Sequence, residues 1–448
     1  MTQSLDTLTH ALLDAARKAG ADSADAIALQ GTSVTVDVRA GALEQAERAE
    51  GTDIGLRVLV GQRQANVSAS DTRPETMTAM AERAVAMARE APDDPYVGLA
   101  DPEQLAKDLS PSALEMADPA DEPDPAYLQV LAERAEAAAQ AVSGVSQVQA
   151  TSAAYSARQV HMAATNGFSA GYARTGSSLS CVAIAGEGLH MERDYDGDSR
   201  VFAADLRSAE EIGRIAGERA VERLNPSKPP TGTYPVLFDE RISSSLIGHL
   251  LSAISGTAIA RGASFLRDDL GKQILPDTLS VIEDPHRPRA TASRPFDAEG
   301  LPTARRAIVE NGVLTGWTLD LATARKLGMP PTGNAARGTS APPSPSNWNI
   351  ELTQGDQSRD DLIAAMGTGL IVTSMIGSTI NPNTGDYSRG AAGLWVENGE
   401  ITHAVNEITI AGNLRDMFAR MIPANDARPY LSRVVSSVLI EGMSLAGN

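Results

Sequence analysis

Apolar residues recur at helical spacing within the first twenty positions of the chain. Leu5, Leu8 and Leu12 would lie on one face of a helix, and Gly20 is placed to end it. Alternating segments follow at 27–41 and 53–70, and they predict strands. Helical patterns return at the segments "PETMTAMAERAVAMAREA", "YLQVLAERAEAAAQAV" and "SAEEIGRIAGERAVERL". The pattern of sheet followed by helix therefore appears twice in the first half.

A proline-rich segment separates this first half from the rest of the chain. Residues 225–235, "NPSKPPTGTYP", contain four prolines and predict a linker. We therefore predict an N-terminal region at 1–224 and a C-terminal domain at 236–448. A second stretch rich in proline and acidic residues, "DPEQLAKDLSPSALEMADPADEPDPA", favours two subdomains within the first region, at about 1–110 and 120–224.

The second half is predicted to be rich in strands and to carry few helices. One helix begins after Asp239, a favourable N-cap residue, and has an apolar stripe at a spacing of four residues. Two Asn-Gly pairs, Asn311-Gly312 and Asn398-Gly399, lie between apolar runs and predict tight hairpins. The predicted fold class is α+β, in two parts: an N-terminal region of helices packed on sheets and a β-rich C-terminal domain.

Composition and charge narrow the functional classes. The 448 residues carry a formal charge of −19, which argues against nucleic acid as a partner. The N-terminal segment lacks the features of a signal peptide, and no apolar run approaches the roughly 20 residues of a membrane span. The single cysteine, Cys181, excludes an internal disulfide and a cysteine-rich zinc site. We predict a soluble protein of the cytoplasm.

The helix after Asp239 contains an incomplete metal-binding pattern. His249 ends the segment "SSLIGH", and Ser244 and Ser245 occupy the positions where a ligand and a glutamate would stand in a zinc peptidase. The other five histidines are scattered singly, so no zinc site is predicted. Two interpretations remain open: His249 flanks the buried stripe and is satisfied by a hydrogen bond, or Ser245 and His249 form a nucleophile–base pair.

A segment rich in glycine and polar residues, 380–417, is predicted to form tightly specified turns between strands. It is interpreted either as hairpin architecture or as the wall of a cleft in which Asp386, Tyr387 and Arg389 present polar groups. The candidate substrate-binding residues are therefore His249, Asp386, Tyr387, Ser388, Arg389 and Asn413.

Several long motifs occur in order along the second half. They are "SLIGHLLSAISGTAIARGASFL", "RPFDAEGLPTARRAIVENGVL", "GNAARG", "TGDYSRGAAGLWVENGEI" and "EITIAGNL". Together they resemble the TldD/PmbA family, and specifically its PmbA branch, also called TldE. The first half is similar to the family in layout more than in sharp motifs.

The resemblance implies a division of labour between two subunits. In the family, the TldD branch is a zinc metallopeptidase with an H-E-x-x-x-H motif and a later cysteine ligand, whereas the TldE branch lacks these groups and forms a heterodimer with TldD that cleaves unfolded peptides and peptide precursors. On this motif, Ser244 and His249 replace the histidine positions and Ser245 the glutamate. The late cysteine is also missing, because Cys181 lies in the first half.

The resemblance therefore implies a non-catalytic subunit that is inactive alone. It implies no cofactor in this chain, zinc in a TldD-like partner, and unfolded peptides held by strand addition, with neither nucleic acid nor membrane as a partner. Two alternatives stay open: an autonomous hydrolase with a non-zinc site, such as Ser245 with His249, and a scaffold with no role in the cleft. The sequence also leaves open the substrate and whether the isolated chain forms a homodimer.

Overall fold

The computed structural model describes residues 4–447. Its first half contains four helices and six strands. They are α1 Leu5–Ala19, β1 Ser23–Arg39, β2 Ala42–Val60, β3 Arg63–Ala69, α2 Pro74–Glu90, α3 Pro125–Gln140, β4 Val145–Ala164, β5 Ser169–Ala185, β6 Glu192–Arg200 and α4 Ala209–Glu222. The strands and helices predicted from the sequence pattern are present, and α1 is closed at Gly20, which has a left-handed backbone with φ 93°.

The six strands of the first half form one antiparallel sheet in the order β3-β2-β1-β4-β5-β6. Ala24, Ala26 and Ala28 of β1 pack with α1 and α2, whereas Val34 and Val36 of the same strand pack with α3 and α4. Side chains two apart on a strand share a face, so both helix pairs cover the same face of the sheet. The two predicted subdomains contribute three strands each to this sheet, and the boundary between them stays a prediction.

The sole cysteine lies inside this first half. Cys181 is completely buried in β5, where the Thr151 hydroxyl donates to its sulfur at 3.7 Å. Burial raises the pKa of this thiol to about 11. The side chain therefore acts as a small core residue and stays protonated at neutral pH.

The second half contains five helices and many short strands among residues 232–446. They are β7 Gly232–Phe238, α5 Glu240–Ala253, α6 Gly256–Ala260, β8 Val281–Glu283, β9 Arg306–Glu310, β10 Val313–Leu314, α7 Leu321–Leu327, β11 Ala335–Ala336, β12 Ser344–Pro345, β13 Ile350–Leu352, α8 Arg359–Met366, β14 Gly369–Ile380, β15 Asp386–Glu397, β16 Glu400–Asn413, α9 Leu414–Ala419, β17 Met421–Pro423, β18 Arg433–Val434 and β19 Val438–Ala446. The predicted α+β class, with helices packed on a sheet followed by a strand-rich C-terminal region, is confirmed.

The main sheet of the second half has the order β16-β15-β14-β7-β19-β17, and β16 also pairs with β19. This extra pairing closes the sheet into a ring around a large apolar core. Helix α5 contributes Leu246, Ile247 and Leu250, all fully buried, to this core. The two predicted hairpins are confirmed: Asn311-Gly312 joins β9 to β10, Asn398-Gly399 joins β15 to β16, and all four residues have positive φ. None of the helices described is long and apolar enough to cross a membrane.

Candidate active-site region around helix α5

Helix α5 carries the segment "SSLIGH" and is fixed at its first turn by charged groups. Asp239 is its N-cap, as predicted, and accepts a hydrogen bond from the backbone of Arg241 at 3.3 Å. The Arg241 guanidinium is almost fully buried and donates to Asp239 at 3.0 Å and to Asp194 of β6 at 3.1 Å. Arg241 therefore joins the start of α5 to the sheet of the first half.

Asp194 is part of an acidic ladder, which we define as Asp194, Asp196 and Asp198 of β6. These three buried carboxylates lie at alternate positions of the strand, so they share one face. Several arginines balance their charge: Arg223 and Arg241 at Asp194, Arg207 and Arg219 at Asp196, and Arg200 at Asp198. The ladder pairs the first half with α5, because Arg241 belongs to the second half of the chain.

One flank of α5 packs against the beginning of strand β15, and we call it the histidine flank. His249 meets Tyr387 edge to face, with ring centroids 5.9 Å apart and an interplanar angle of 74°. The Ser245 hydroxyl and the His249 Nε2 atom are both buried and have no hydrogen-bond partner within residues 4–447. His249 therefore lacks, at Nε2, the hydrogen bond that one interpretation assigned to it, and Ser245 does not form a hydrogen-bonded pair with it.

Arg389 adds a positive charge to the histidine flank. Burial lowers the pKa of His249, and the nearby Arg389 lowers it further. Burial also raises the pKa of Tyr387 to about 12, although Arg389 acts in the opposite direction. The Tyr387 hydroxyl donates to the Met375 sulfur at 3.3 Å. Both aromatic groups are therefore held neutral at pH 7, and the charge of this flank comes from Arg389.

The glycine-rich segment was predicted to form turns, but the four consecutive residues from Asp386 to Arg389 do not form one. They begin β15, and the turn precedes them at 381–385. Strand alternation therefore separates them: Tyr387 and Arg389 contact the histidine flank, while Asp386 and Ser388 point to the other face of the sheet. Ser388 is half-buried there.

Asp386 and Asn413 stabilise the ends of their strands. The Asp386 carboxylate accepts from the Thr384 hydroxyl at 2.6 Å and from the Asn413 side chain at 3.1 Å. These hydrogen bonds lower the pKa of Asp386. Asn413 is also the N-cap of α9 and accepts from the Arg415 backbone at 3.0 Å. These contacts give the two residues a local structural role, and their part in substrate binding stays a prediction.

The groups at the degenerate motif do not fit a zinc ion. Zinc in proteins takes thiolate, imidazole or carboxylate ligands, and the motif offers one imidazole and two serine hydroxyls. A regular helix also separates positions 244 and 249 by about 140° around its axis. In the part of the chain that the structure describes, no group of three or more His, Cys, Asp or Glu side chains is arranged to hold a metal.

The adjacent flank of α5 lines an open cleft that the sequence did not predict. We call it the arginine cleft; its volume is about 510 Å³, and it is lined by Gly248, Ser252, Arg261, Asn347, Trp348 and Arg433 among others. Its residues come from four separate segments, so no local pattern could reveal it. The one local signal is Gly248, a glycine inside an otherwise regular helix.

Comparison with known proteins connects these features to a family. The PmbA/TldA metallopeptidase models match residues 24–88 for domain 1, 118–224 for the central domain and 231–447 for the C-terminal domain. The chain is 38% identical to Metalloprotease PmbA of Escherichia coli O157:H7, over 95% of this chain and 92% of that protein. It is 37% identical to a Metalloprotease PmbA homolog of Haemophilus influenzae, over 97% of this chain and 94% of the homolog.

Solved structures extend the likeness to the whole fold. A Bacteroides thetaiotaomicron protein described as a candidate modulator of DNA gyrase superposes with a TM-score of 0.90 at 26% identity, over 100% of both chains. TldE from Thermococcus kodakarensis superposes with a TM-score of 0.86 at 20% identity, over 98% of this chain and 99% of that one, and shows the same fold. From the three family domains and the extensive identity to PmbA proteins, we conclude that the chain belongs to the PmbA/TldD metallopeptidase family, in its PmbA (TldE) branch.

Proposed function

We propose that this chain is the non-catalytic, TldE-like subunit of a heterodimeric metallopeptidase. Its TldD-like partner would carry the zinc ion, and the complex would cleave unfolded peptides and peptide precursors in the cytoplasm. One observation carries this proposal: where the active branch has H-E-x-x-x-H, α5 presents Ser244, Ser245 and a single histidine, His249, enclosed by Tyr387 and Arg389.

The two alternatives have less support. An autonomous hydrolase would need an activated nucleophile, and the Ser245 hydroxyl has no hydrogen-bond partner within the described residues, His249 included. A pure scaffold would have no use for polar groups enclosed beside a degenerate active-site helix. A positively charged Arg389 at this position fits a role in peptide binding better, because a guanidinium donates in a fixed geometry to carbonyl or carboxylate oxygens.

The test is reconstitution with the cognate TldD-like chain. Each chain is purified alone and together, and size-exclusion chromatography, zinc content and cleavage of an unfolded peptide are measured. We expect this chain alone to cleave nothing and to contain well under one zinc per chain, and the mixture to elute as an active heterodimer. The same sizing run would detect a homodimer of the isolated chain. Cleavage by this chain without a partner would contradict the proposal.

Arg389→Ala tests the role of the histidine flank inside the complex. We expect kcat/KM for peptide cleavage to fall by about tenfold, which corresponds to the loss of one hydrogen bond from a charged donor, while the heterodimer still assembles. Arg83→Ala on α2 is the control for net charge, because it removes one exposed guanidinium that lies outside α5 and β15. Full activity of the Arg389 variant would remove this residue from the peptide site.

A further inference from the structure

The arginine cleft lies between α5, the turn after α6, and the segment 345–348. Its volume of about 510 Å³ falls within the range typical of ligand pockets. The part of the cleft formed by Trp348 and Leu251 is apolar, and both side chains are largely buried. Beside Leu251, the wall along α5 and the start of α6 presents the small residues Gly248, Ser252 and Ser255, so an elongated ligand could approach the helix closely.

The polar part of the wall is held rigid by hydrogen bonds. The Asn347 side chain donates to Thr318 at 2.9 Å and to Glu283 at 3.2 Å. The Trp348 indole donates to the backbone of Gly333 at 3.0 Å. Such a wall is preorganised, because its side chains lose little freedom when a ligand binds.

Two cations face this cleft, Arg261 and Arg433. Both are exposed, and neither makes an ion pair or a side-chain hydrogen bond to any residue within 4–447. The contrast with the acidic ladder is large, since every ladder carboxylate there is matched by at least one arginine. In a chain with a formal charge of −19, two uncompensated guanidinium groups at one cleft create a local positive field.

Arg433 lies beside the glycine in α5. A Cβ atom at Gly248 would lie 3.3 Å from Nη1 of Arg433, so the guanidinium lies directly against the helix. The Arg433 backbone is fixed by the parallel pairing of β18 with β13, where Arg433 is opposite Ile350. Arg261 is the C-cap residue of α6, and its backbone donates to Thr257 at 3.2 Å. Both cations therefore have anchored backbones, and their charged groups are unpaired within the described part of the chain.

We propose that the arginine cleft binds a carboxylate of a peptide chain through Arg261 and Arg433, while Trp348 and Leu251 contact an adjoining apolar side chain. This inference rests on the proposed function, because an unfolded peptide is the ligand that a peptidase subunit would meet. Guanidinium groups bind carboxylates with two parallel hydrogen bonds, a geometry that neutral peptide groups cannot match. The carboxylate is either the C-terminal group of the peptide or an acidic side chain.

Fluorescence anisotropy with the full-length purified chain tests this site directly. Three rhodamine-labelled hexapeptides of glycine, alanine and leucine are compared: one with a free C-terminal acid, one with a C-terminal amide, and one amide with a single internal aspartate. We expect the acid to bind about tenfold more tightly than the plain amide, and this difference to shrink at high salt. Equal binding of the aspartate peptide and the acid would show that the site accepts either carboxylate, whereas tighter binding of the aspartate peptide would assign the site to acidic side chains.

Arg261→Gln and Arg433→Gln should each weaken binding of the acid about fivefold, as expected for a partly exposed ion pair. Neither change should alter the thermal unfolding midpoint, because neither side chain has an ion pair or side-chain hydrogen bond within the described residues to lose. Arg83→Gln is the matched control for net charge and should bind as the parent does. Equal affinity for acid and plain amide, in the parent and in an Arg261→Gln/Arg433→Gln double variant, would overturn the proposal.

The reconstitution assay separates this inference from the proposed function. If the heterodimer is active but the isolated subunit binds the acid and the plain amide equally, carboxylate binding in the arginine cleft is contradicted and the proposed function stands. Tight carboxylate binding by a chain that never activates a TldD-like partner supports the cleft and overturns the proposed function.

Discussion

The two flanks of helix α5 differ sharply although their residues lie within one turn of each other. On the histidine flank, Ser245 and His249 are half-buried beside β15, and two of their polar atoms are buried with no partner among the described residues. The arginine cleft is open, and α5 contributes Gly248, Leu251 and Ser252 to its wall. The two flanks therefore differ in what they offer: the histidine flank presents half-buried side chains packed on β15, and the flank beside it presents an accessible cleft.

The largest expected loss of stability comes from removing Arg241, which fixes the start of α5 and so supports both flanks. Arg241→Ala leaves Asp194 and Asp239 buried without their main partner, and loss of one member of a buried charged network costs about 3–5 kcal/mol of unfolding free energy. Urea denaturation followed by circular dichroism measures the loss. Arg214→Ala, which breaks only an exposed pair with Glu218 on α4, is the control and should change the midpoint little.

If Arg241→Ala and Arg214→Ala gave equal losses, the acidic ladder would not be what fixes α5. The comparison of the two flanks would then lose its common structural basis, and each flank would have to be anchored separately.

His249→Leu, on the histidine flank, should raise the free energy of unfolding by about 1 kcal/mol. A buried nitrogen without a partner destabilises the native state, and an apolar side chain of similar size removes that cost. The thermal unfolding midpoint at pH 7.5 measures the change, with His190→Asn in an exposed turn as control. A clear loss of stability would show that the His249 imidazole makes a contact on which the flank depends.

The same imidazole should make stability depend on pH. The folded pKa of His249 lies below its ordinary value of 6.5, so below pH 6.5 the unfolded chain binds a proton that the folded chain resists. Its contribution is fully present above pH 6.5 and is lost as pH falls toward the folded pKa. The urea midpoint of the parent should therefore fall more between pH 7.5 and 5.5 than that of His249→Leu.

Burial also lowers the pKa of His161, so the parent and the variant will share part of this slope. The difference between them isolates His249. Identical slopes would place the His249 titration outside this pH range.

A smaller change in stability is expected from a substitution in the arginine cleft. Gly248→Ala should raise the unfolding free energy by about 0.5 kcal/mol, because alanine favours the helix and only the mobile end of Arg433 lies in the way. The displaced guanidinium should at the same time weaken acid-peptide binding. Higher stability with unchanged binding would show that Arg433 reaches the ligand from another direction.

Restoring the histidine and glutamate of the family motif should not give this chain peptidase activity. Ser244→His with Ser245→Glu supplies a second imidazole and a carboxylate, but the only cysteine of the chain, Cys181, is buried in β5 and the new ligands would lack groups selected to orient them. We expect no chelator-sensitive peptide cleavage by the double variant, measured beside an active TldD-like enzyme. Robust cleavage would show that the histidine flank still contains most of an active site.

The elements of this fold were predictable because their signals are local. The N-cap at Asp239, the apolar stripe of α5 and both Asn-Gly hairpins follow from spacing and backbone preference alone. The polar segment at 386–389 shows the limit of such signals. Its glycine-rich surroundings suggested a turn, and only the pairing with β14 and β16 shows that it is a strand with two different faces.

The remaining features depend on contacts between distant segments. The acidic ladder appears in the sequence as a solvated acidic strand, since most of its arginines lie outside β6, on α4, at the two ends of α4 and on α5. The arginine cleft depends on Arg433, which lies 185 positions after Gly248 in the chain. Charge pairing and concavity of this kind are properties of the tertiary structure, so no local pattern could predict them.

The buried thiol makes the chain a convenient object for spectroscopy. Cys181 is fully enclosed, and its pKa of about 11 leaves almost no thiolate at neutral pH, so maleimide reagents should ignore it in the native state. A cysteine introduced at an exposed position such as Leu189 would then carry the only probe. Dye pairs could report the distance between this subunit and a partner without first removing a native cysteine.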